Sequence, residues 1–419
     1  MERRVAITGI GCLAPNGSGR EAYARSLQAG RSGIDRISLF DPEGLAATIA
    51  GEIKGFDLAA HVDAKSIRHV SRAVPLAIAA SEEALEDAGI DPERLSLEER
   101  QALGVLLGTG GGPIEFAERM YHLYYTNQVR KASVYAIASG TIGTLSSEIS
   151  MRFGLRGPSQ VISTGCASST DALGHAFRAV KFGTADVVLA GGVDATVVRG
   201  IMEGFLMMRV VSTEREREPE RASRPFSADR DGFVLGEGAW MFVLEDRDRA
   251  RARGARVYAE IRGYGSTCDA HHRVRMDESG DEPARAMSLA LREAGIPPEE
   301  VGYVAYHGTG TDLNDRVETR AARKVFGRSA ERVPGSSIKS MIGHTQGACG
   351  AAGVAATVLG MRDGFLPPTI NLETADPECD LDYVANASRP ASFEHALCNT
   401  IGFGSKNSAL VIRTGEVAS

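Results

Sequence analysis

The sequence is poor in the residues and patterns that mark several protein classes. It has one tryptophan, and none of its cysteines falls in the CxxC spacing of zinc sites and redox motifs. Neither a structural zinc site nor a disulfide framework is therefore predicted, and a reducing, cytoplasmic compartment is expected. The six cysteines are Cys12, Cys166, Cys268, Cys349, Cys379 and Cys398.

The chain also lacks long apolar runs and an excess of positive charge. No apolar stretch approaches the ~20 residues that span a bilayer, so no membrane segment is expected. The net charge is −7, which argues against bulk nucleic-acid binding. With 419 residues, 43% of them hydrophobic, the chain is an ordinary globular sequence long enough for two large cores.

Short apolar runs alternate with helix-like segments along the whole chain. This alternation predicts an α/β protein with buried, mostly parallel strands. Each half offers five such runs in similar order. They are 5–9, 104–108, 160–163, 187–191 and 240–244 in the first half, and 257–263, 303–307, 336–339, 399–402 and 409–413 in the second.

The two halves also resemble each other in detail. Segment 106–110 is similar to 305–310, and the turn at 163–169 has a counterpart at 343–348, which also precedes an alanine-rich helix. The sequence therefore predicts an internal duplication, with domains at 1–253 and 254–419.

Cys166 lies in a collar of small residues, STGCASS at 163–169. A strand-like run precedes it and a helix-like segment follows, so the cysteine is expected at or near a helix N-terminus. Unpaired N–H groups and the helix dipole at that position favour a thiolate, which would activate a thiol of ordinary pKa near ~8.5. The alternative is an inert, buried structural cysteine.

Two histidines lie in motifs of small and polar residues at the predicted carboxyl ends of strands. His307 begins HGTGTDLNDRVE at 307–318, and His344 lies in KSMIGHTQG at 339–347. Sites in α/β sheets collect at these strand ends. A metal site is the competing interpretation, but no HxxxH or HExxH spacing supports it and none is predicted.

A thiolate with two neutral imidazoles suits covalent acyl transfer followed by carbon–carbon bond formation. The cysteine would hold an acyl group as a thioester, and imidazole N–H groups would donate to an enolate oxygen on a second thioester. If decarboxylation of a malonyl unit generates the enolate, no carboxylate base is needed.

Together these motifs resemble the β-ketoacyl-acyl carrier protein synthases of the elongating type, within the thiolase-like superfamily. The resemblance extends along essentially the whole chain, from VAITGIG at 5–11 to GFG at 402–404. It implies the five-layered αβαβα thiolase fold, built from two duplicated halves and normally dimeric. It also implies that Cys166 accepts the acyl group and that His307 and His344 serve decarboxylation and condensation.

The same resemblance assigns the supporting residues. Lys339 would support the histidines electrostatically, and Glu318 would be the buried acid that links to Lys339. A simple buried ion pair is the alternative for those two residues. The N–H groups of Cys166 and Phe403 would form the oxyanion hole, with Phe403 as a gate. Thr309 and Thr311 would hold the phosphopantetheine arm.

Three departures from the family pattern favour one branch of the family. The gate reads GFGSKN at 402–407, and segment 273–276 reads RVRM where a threonine and a proline are usual. Gly111 stands where the housekeeping fatty-acid enzymes tend to have a bulky aliphatic residue in the acyl pocket, so room for a different chain is expected there. These features suggest the ketosynthase (alpha) subunit of a type II polyketide synthase.

That assignment implies the partners. An acyl carrier protein would bring substrates on its phosphopantetheine arm, with no permanently bound cofactor. A chain-length factor, a homologue without the cysteine, would complete a heterodimer, with a homodimer as the alternative. Lys65, Arg68 and Arg72, at helical spacing, match the family's docking region, and a solvated basic face is the other explanation.

Three other functions remain open from the sequence. A housekeeping fatty-acid synthase would work as a homodimer. A non-catalytic partner subunit would only shape the acyl tunnel, but the intact Cys166, His307 and His344 argue against it. A biosynthetic thiolase needs a second cysteine as base, and Cys349 and Cys398 lie off the expected positions.

Overall fold

The computed structural model describes residues 2–404 and 406–415. The strands in these residues are β1 (Val5–Ala14), β2 (Gly17–Ser18), β3 (Ile34–Arg36), β4 (Ile49–Gly51), β5 (Leu103–Gly108), β6 (Ser159–Ile162), β7 (Val187–Asp194), β8 (Gly238–Asp246), β9 (Ala259–Cys268), β10 (Val301–Ala305), β11 (Gly335–Ser336), β12 (Phe365–Leu366), β13 (Arg389–Pro390), β14 (His395–Gly402) and β15 (Lys406–Thr414). The α-helices are α1 (Arg20–Gln28), α2 (Ala73–Asp87), α3 (Leu97–Ala102), α4 (Ile114–Tyr125), α5 (Ala136–Ser139), α6 (Thr144–Phe153), α7 (Ser168–Lys181), α8 (Arg199–Met208), α9 (Arg247–Ala252), α10 (Asp281–Ala294), α11 (Asp312–Phe326), α12 (Lys339–Ile342) and α13 (Cys349–Asp363). Short 3-10 turns lie at Leu58–Ala60, Ile67–His69, Val129–Lys131, Pro219–Arg221, Pro298–Glu300, Gly327–Ser329 and Gln346–Ala348.

One mixed sheet runs through the molecule, and it consists of two blocks with the same topology. The strand order is β11-β10-β14-β15-β9-β1-β8-β7-β5-β6. The first block consists of β1, β5, β6, β7 and β8, and the second of β9, β10, β11, β14 and β15. Counted in chain order within each block, the second strand pairs in parallel with the third and fourth, and the fifth runs antiparallel to the fourth and the first. This shared order and direction support the internal duplication predicted from the motifs.

Helices cover both faces of each block, which gives the expected five layers. Helices α7 and α13 form one buried cluster with residues of β1 and β8 from the first block and of β10, β14 and β15 from the second, so they lie between the blocks. Helix α2 packs on the outer face of the first block, and α10 and α11 pack on the outer face of the second. The α/β fold predicted from the sequence is confirmed.

Small residues allow the outer helix α2 to lie very close to β1. A β-carbon added at Gly9 would lie 2.0 Å from the carbonyl oxygen of Ala84, and one at Gly11 would lie 1.9 Å from that of Ala80. Any larger residue at these two positions would push the helix from the sheet, because protein interiors have no slack of that size. The glycines in the opening motif therefore have a packing role.

All ten predicted strands are present, with two differences near the site. Strand β10 ends at Ala305, so His307 lies two residues beyond it, and the run predicted as a strand at 336–339 is strand only at Gly335–Ser336. Lys339 instead begins α12, and His344 follows that helix. His344 is therefore not at a strand end, because the short helix α12 and its C-cap residue, Gly343, separate it from β11.

The linker between the two blocks spans residues 253–258, between α9 and β9. The division into 1–253 and 254–419 stays a prediction about domain boundaries. Among the described residues, no helix is both long enough and apolar enough to cross a membrane.

Candidate active site

Cys166 lies in a tight turn between β6 and α7, as the sequence predicted. Gly165 adopts a positive φ of 64°, which glycine reaches without steric cost. The Ser168 hydroxyl accepts the Thr164 N–H at 2.9 Å and donates to the Gly165 carbonyl at 2.5 Å. The serine collar therefore holds the turn, and it leaves Cys166 one residue before the helix cap at Ala167.

Burial controls the ionisation of Cys166. Removal from water raises the pKa of the thiol to about 12, although the charge of Lys339 and a hydrogen bond from the Phe403 N–H both lower it. The sequence-based expectation of a lowered pKa is therefore wrong, because the dehydrated site disfavours the thiolate more than its neighbours favour it. Cys166 rests as a thiol.

The structure brings the three predicted catalytic side chains together. The Cys166 sulfur and one ring nitrogen each of His307 and His344 all lie within 4.8 Å of one another. The two imidazole rings are nearly perpendicular, with centroids 5.3 Å apart. All three side chains are buried. Their convergence creates one dry pocket for a sulfur and two imidazoles.

Both histidines are held neutral. Burial, followed by the charge of Lys339, places the pKa of His307 and that of His344 well below the usual value. Nδ1 of His344 accepts the backbone N–H of Gln346 at 3.2 Å, and Nδ1 of His307 lies 3.4 Å from the Lys339 ammonium, a donor. With each Nδ1 accepting, each Nε2 bears the hydrogen and can donate it.

Lys339 and Glu318 both act on His307, but from different sides. The Lys339 ammonium donates to the His307 carbonyl oxygen. Glu318 accepts the N–H groups of His307 and Gly308, both at 2.7 Å. The direct link between the two residues that the resemblance implied is absent from the ion pairs among residues 2–404 and 406–415, and the connection runs through the His307 backbone instead.

Burial also governs Glu318. It raises the pKa of this carboxyl to about 7, against three hydrogen bonds that lower it. The third comes from the Asn399 amide at 2.6 Å, across from β14. Three donors therefore satisfy this buried carboxyl and hold it in place.

Asp194 is a supporting residue that the sequence analysis missed. It lies at the end of β7, fully buried, and accepts the N–H groups of Gly110 at 2.8 Å and Gly347 at 2.6 Å. It thereby joins the loop after β5 to the segment that follows His344. Its place at a strand end, two residues after the glycine pair at 191–192, was the available signal.

The remaining predicted site residues border this cluster. The Phe403 N–H bonds the Cys166 thiol, and a β-carbon at the preceding Gly402 would lie 3.2 Å from the Cys166 nitrogen. Thr309 and Thr311 follow His307, with their hydroxyls 2.8 Å apart. The altered gate position at Ser405 lies outside the described residues.

The space expected beside Gly111 is already filled. A β-carbon at Gly111 would lie 2.3 Å from the Cγ2 methyl of Thr196. The expectation that the missing side chain leaves room at this position is therefore wrong, since Thr196 occupies the volume. The absence of a side chain at Gly111 makes room for Thr196, and this pairing is visible only in the packing.

The predicted docking residues separate into two kinds. Lys65 and Arg68 are exposed, but they lie in a turn and a 3-10 helix before α2, so the predicted helical face does not exist. Arg72 is engaged inside the protein: its guanidinium forms two 2.8 Å hydrogen bonds to the fully buried Glu237. Arg72 is therefore corrected to a structural residue, because that buried carboxylate needs its charge.

Cys166, His307 and His344 are also the donor set that Zn²⁺ prefers, one sulfur and two imidazole nitrogens. The Lys339 ammonium beside His307 opposes a second cation at this point. The residues therefore fit a resident metal poorly, and no step below depends on one.

An apolar surface lies at the end of the first block. Strand β6 is the last strand in the sheet order, and its outer edge has no partner in the described chain. The neighbouring helices and loops expose large apolar side chains: Tyr121, Tyr125, Val129, Val134, Tyr135, Ile137, Ile142 and Met151. We call these eight residues the apolar surface.

The chain is similar to known proteins in sequence and in fold. The chain matches the family models "Beta-ketoacyl synthase, N-terminal domain" over residues 2–250 and "Beta-ketoacyl synthase, C-terminal domain" over 258–373. It is 42% identical to a Streptomyces cyaneus protein named as a polyketide beta-ketoacyl synthase 1, covering 98% of each chain. It is 39% identical to the 3-oxoacyl-(acyl-carrier-protein) synthase 2 of Coxiella burnetii, again covering 98% of each.

Among solved structures, the ishigamide ketosynthase/chain length factor superposes with a TM-score of 0.92. The sequence identity is 32%, and the match covers 99% of this chain and 100% of that one.

Proposed function

The chain belongs to the β-ketoacyl synthase family of acyltransferase-type enzymes, and on that premise we propose that it extends an acyl chain by decarboxylative Claisen condensation. The observation that carries the proposal is the convergence of the Cys166 sulfur with two imidazoles held neutral in a dry pocket. Malonyl-acyl carrier protein is the proposed extender.

In the first half-reaction Cys166 takes the acyl group from a carrier protein. The sulfur attacks the thioester carbonyl, a new carbon–sulfur bond forms, and the thiol proton leaves with the departing pantetheine sulfur. The N–H groups of Cys166 and Phe403 stabilise the oxyanion of the tetrahedral intermediate. The thiolate is the attacking form, and the exchange needs no net proton because one thiol is consumed and another is released.

In the second half-reaction the malonyl group loses carbon dioxide and becomes an enolate. The Nε2–H groups of His307 and His344 donate to the enolate oxygen, which lowers the energy of the developing charge. The enolate carbon then attacks the acyl group on Cys166. The thiolate that departs takes a proton from water, and the product is a β-ketoacyl chain two carbons longer.

The supporting residues keep both imidazoles in the donor state. Lys339 and the Gln346 N–H occupy the two Nδ1 atoms, and Glu318 fixes the His307 backbone. A neutral imidazole that donates through Nε2 matches an oxygen that gains charge only in the transition state. Thr309 and Thr311 are proposed to bind the pantetheine arm.

The polyketide branch and a homologous second subunit are the finer part of the proposal. The relatives include both a polyketide and a fatty-acid type synthase at similar identity. A ketosynthase/chain length factor superposes closely, and the edge of β6 with the apolar surface offers a place for such a subunit. A homodimer through the same face is the alternative.

Acyl loading tests the nucleophile directly. The chain, purified with its co-expressed second subunit, is incubated with an acyl carrier protein that bears a fatty acyl thioester. Intact-mass spectrometry is expected to show one acyl group on the native chain and none on Cys166→Ala. Cys398→Ala, at another buried cysteine, should load normally.

A second measurement separates the two half-reactions. Cys166→Ala keeps both histidines, so it is expected to continue releasing carbon dioxide from malonyl-acyl carrier protein, whereas His307→Ala should lose most of this activity. Acyl mass on the Cys166→Ala protein, or none on the native chain, would overturn the proposal.

A further inference from the structure

Cys349 is a second buried thiol beside the nucleophile, and none of the steps above uses it. It begins α13 and is 5% exposed. Its sulfur lies 3.3 Å from the carbonyl oxygen of Cys166 and 4.0 Å from Nδ1 of His307. One side chain therefore touches the backbone of the nucleophile and the imidazole that faces the substrate.

The chemical state of Cys349 decides what it can do there. Burial raises the pKa of its thiol, against the charge of Lys339, so the group stays protonated. A neutral S–H is a hydrogen-bond donor and not a base. The second cysteine of a biosynthetic thiolase acts as a base, so Cys349 does not provide that chemistry.

The hydrogen bond from Cys349 acts on the backbone of the turn that contains Cys166. Cys166 lies between the left-handed Gly165 and the first turn of α7. Cys349 donates to its carbonyl from a different helix, 183 positions away in the chain. This contact ties the start of α13 to the turn and restrains the peptide plane formed by the Cys166 carbonyl and the Ala167 N–H.

The same sulfur occupies the Nδ1 side of His307. Lys339 and Cys349 both lie near this nitrogen, at 3.4 and 4.0 Å. A sulfur-sized group there excludes water, and desolvation is the largest cause of the lowered pKa of His307. The volume of Cys349, apart from its hydrogen bond, therefore contributes to keeping His307 neutral.

We propose that Cys349 is a positioning residue with two separable actions: its S–H orients the Cys166 turn for acyl transfer, and its bulk keeps the Nδ1 side of His307 dry. The inference rests on the proposed condensation. It concerns the rate and pH dependence of each half-reaction, and not whether Cys166 is the acceptor.

Three substitutions separate the two actions. Cys349→Ser keeps a donor, Cys349→Val keeps the volume without a donor, and Cys349→Ala keeps neither. Single-turnover acylation of Cys166, followed by intact mass, reports on the turn. The pH profile of malonyl-acyl carrier protein decarboxylation reports on His307.

The expected pattern differs for each variant. Cys349→Val should acylate about three- to tenfold more slowly, as for the loss of one neutral hydrogen bond, with an unmoved pH profile. Cys349→Ala should acylate as slowly as Cys349→Val. The acid limb of its decarboxylation profile should also move to higher pH. Cys349→Ser should stay within about threefold of the native acylation rate.

Cys398→Val is the matched control. Cys398 is also a buried thiol, and it lies 3.4 Å from the Thr357 hydroxyl. The same substitution there should leave both readouts unchanged. Equal acylation rates for native and valine proteins would overturn the orienting action, and an unmoved pH profile for alanine would overturn the shielding action.

Thermal unfolding of each variant shows whether it is folded. If the valine protein does not fold, the serine and alanine proteins still test the proposal. Of these two, only alanine should both slow acylation and shift the pH profile of decarboxylation. Loss of acylation in Cys166→Ala with no effect in any Cys349 variant would leave the proposed function standing and reject this inference alone.

Discussion

Lys339 is the residue on which the electrostatics of the site depend most directly. Its ammonium is buried and contacts His307 at the carbonyl oxygen and at Nδ1. Its charge lowers the pKa of both histidines and that of the Cys166 thiol. A single cation therefore biases three groups toward the forms that the proposed reaction uses.

Replacing Lys339 with methionine should change the pH dependence in one direction. Without the cation, the pKa of His307 and that of His344 rise, so the imidazoles become protonated at higher pH as the solution is acidified. The acid side of the decarboxylation profile should therefore move to higher pH. Initial rates of carbon dioxide release between pH 5 and pH 8 check this.

Lys54→Met, at an exposed lysine outside the proposed docking segment, is the control for loss of one charge and should leave the profile in place. A lower rate for Lys339→Met with an unmoved acid limb would show that the lysine acts through geometry alone.

At the scale of elements, the segment before α2 combines two functions that the sequence pattern could not separate. Lys65 and Arg68 point into solvent from irregular backbone, whereas Arg72 pairs with the buried Glu237 and also donates to the Ile53 carbonyl at 3.0 Å. Only the first two are available to an acidic partner. The spacing of Lys65, Arg68 and Arg72 suggested one helical face. The folded chain instead places these residues in two different environments.

Charge reversal should therefore affect this segment in two different ways. Lys65→Glu with Arg68→Glu is expected to raise the KM for acyl carrier protein several-fold, to leave kcat unchanged, and to weaken the salt dependence of kcat/KM. Steady-state kinetics at several salt concentrations measure this.

Arg72→Glu should instead lower the melting temperature, because it leaves the Glu237 carboxylate buried against a second negative charge; breaking such a pair costs about 3–5 kcal/mol.

Unchanged kinetics in the variant with both Lys65→Glu and Arg68→Glu would remove these two residues from the docking surface.

At the scale of the whole molecule, the active site lies where the two blocks meet. Cys166 comes from the first block, and His307, Lys339, His344 and Phe403 come from the second. Helices α7 and α13, packed against each other between the blocks, bring Cys166 and Cys349 into contact. The site therefore exists only when both halves of the duplication are assembled.

The apolar surface should control assembly with a second subunit. Val134 and Ile137 are 85% and 77% exposed, and a patch of this kind beside an open sheet edge is typical of a protein interface. Val134→Glu with Ile137→Glu is expected to abolish co-purification of the second subunit. Size-exclusion chromatography with light scattering gives the assembled mass.

Leu97→Glu, at an exposed leucine on α3 that is not one of the eight residues of the apolar surface, should leave that mass unchanged. An intact complex in the double variant would place the interface elsewhere.

The strands, the repeat and the candidate catalytic side chains were predictable from the sequence. Strand and turn patterns reflect local burial and local backbone preference, so the runs at 104–108 and 187–191, the turn at Cys166 and the motifs of His307 and His344 were all accessible from single segments. The resemblance to a family added roles to these residues but no distances.

The ionisation of buried groups and the contacts between distant segments were not predictable from the sequence. The pKa of Cys166 depends on the water that the fold removes, and the expected helix effect did not outweigh it. Thr196 fills the space beside Gly111, and Glu237 forms an ion pair with Arg72. Cys349 donates a hydrogen bond to the Cys166 carbonyl from another helix. Each of these pairs is separated by tens to hundreds of residues, and packing and desolvation act through space, so a linear pattern does not contain them.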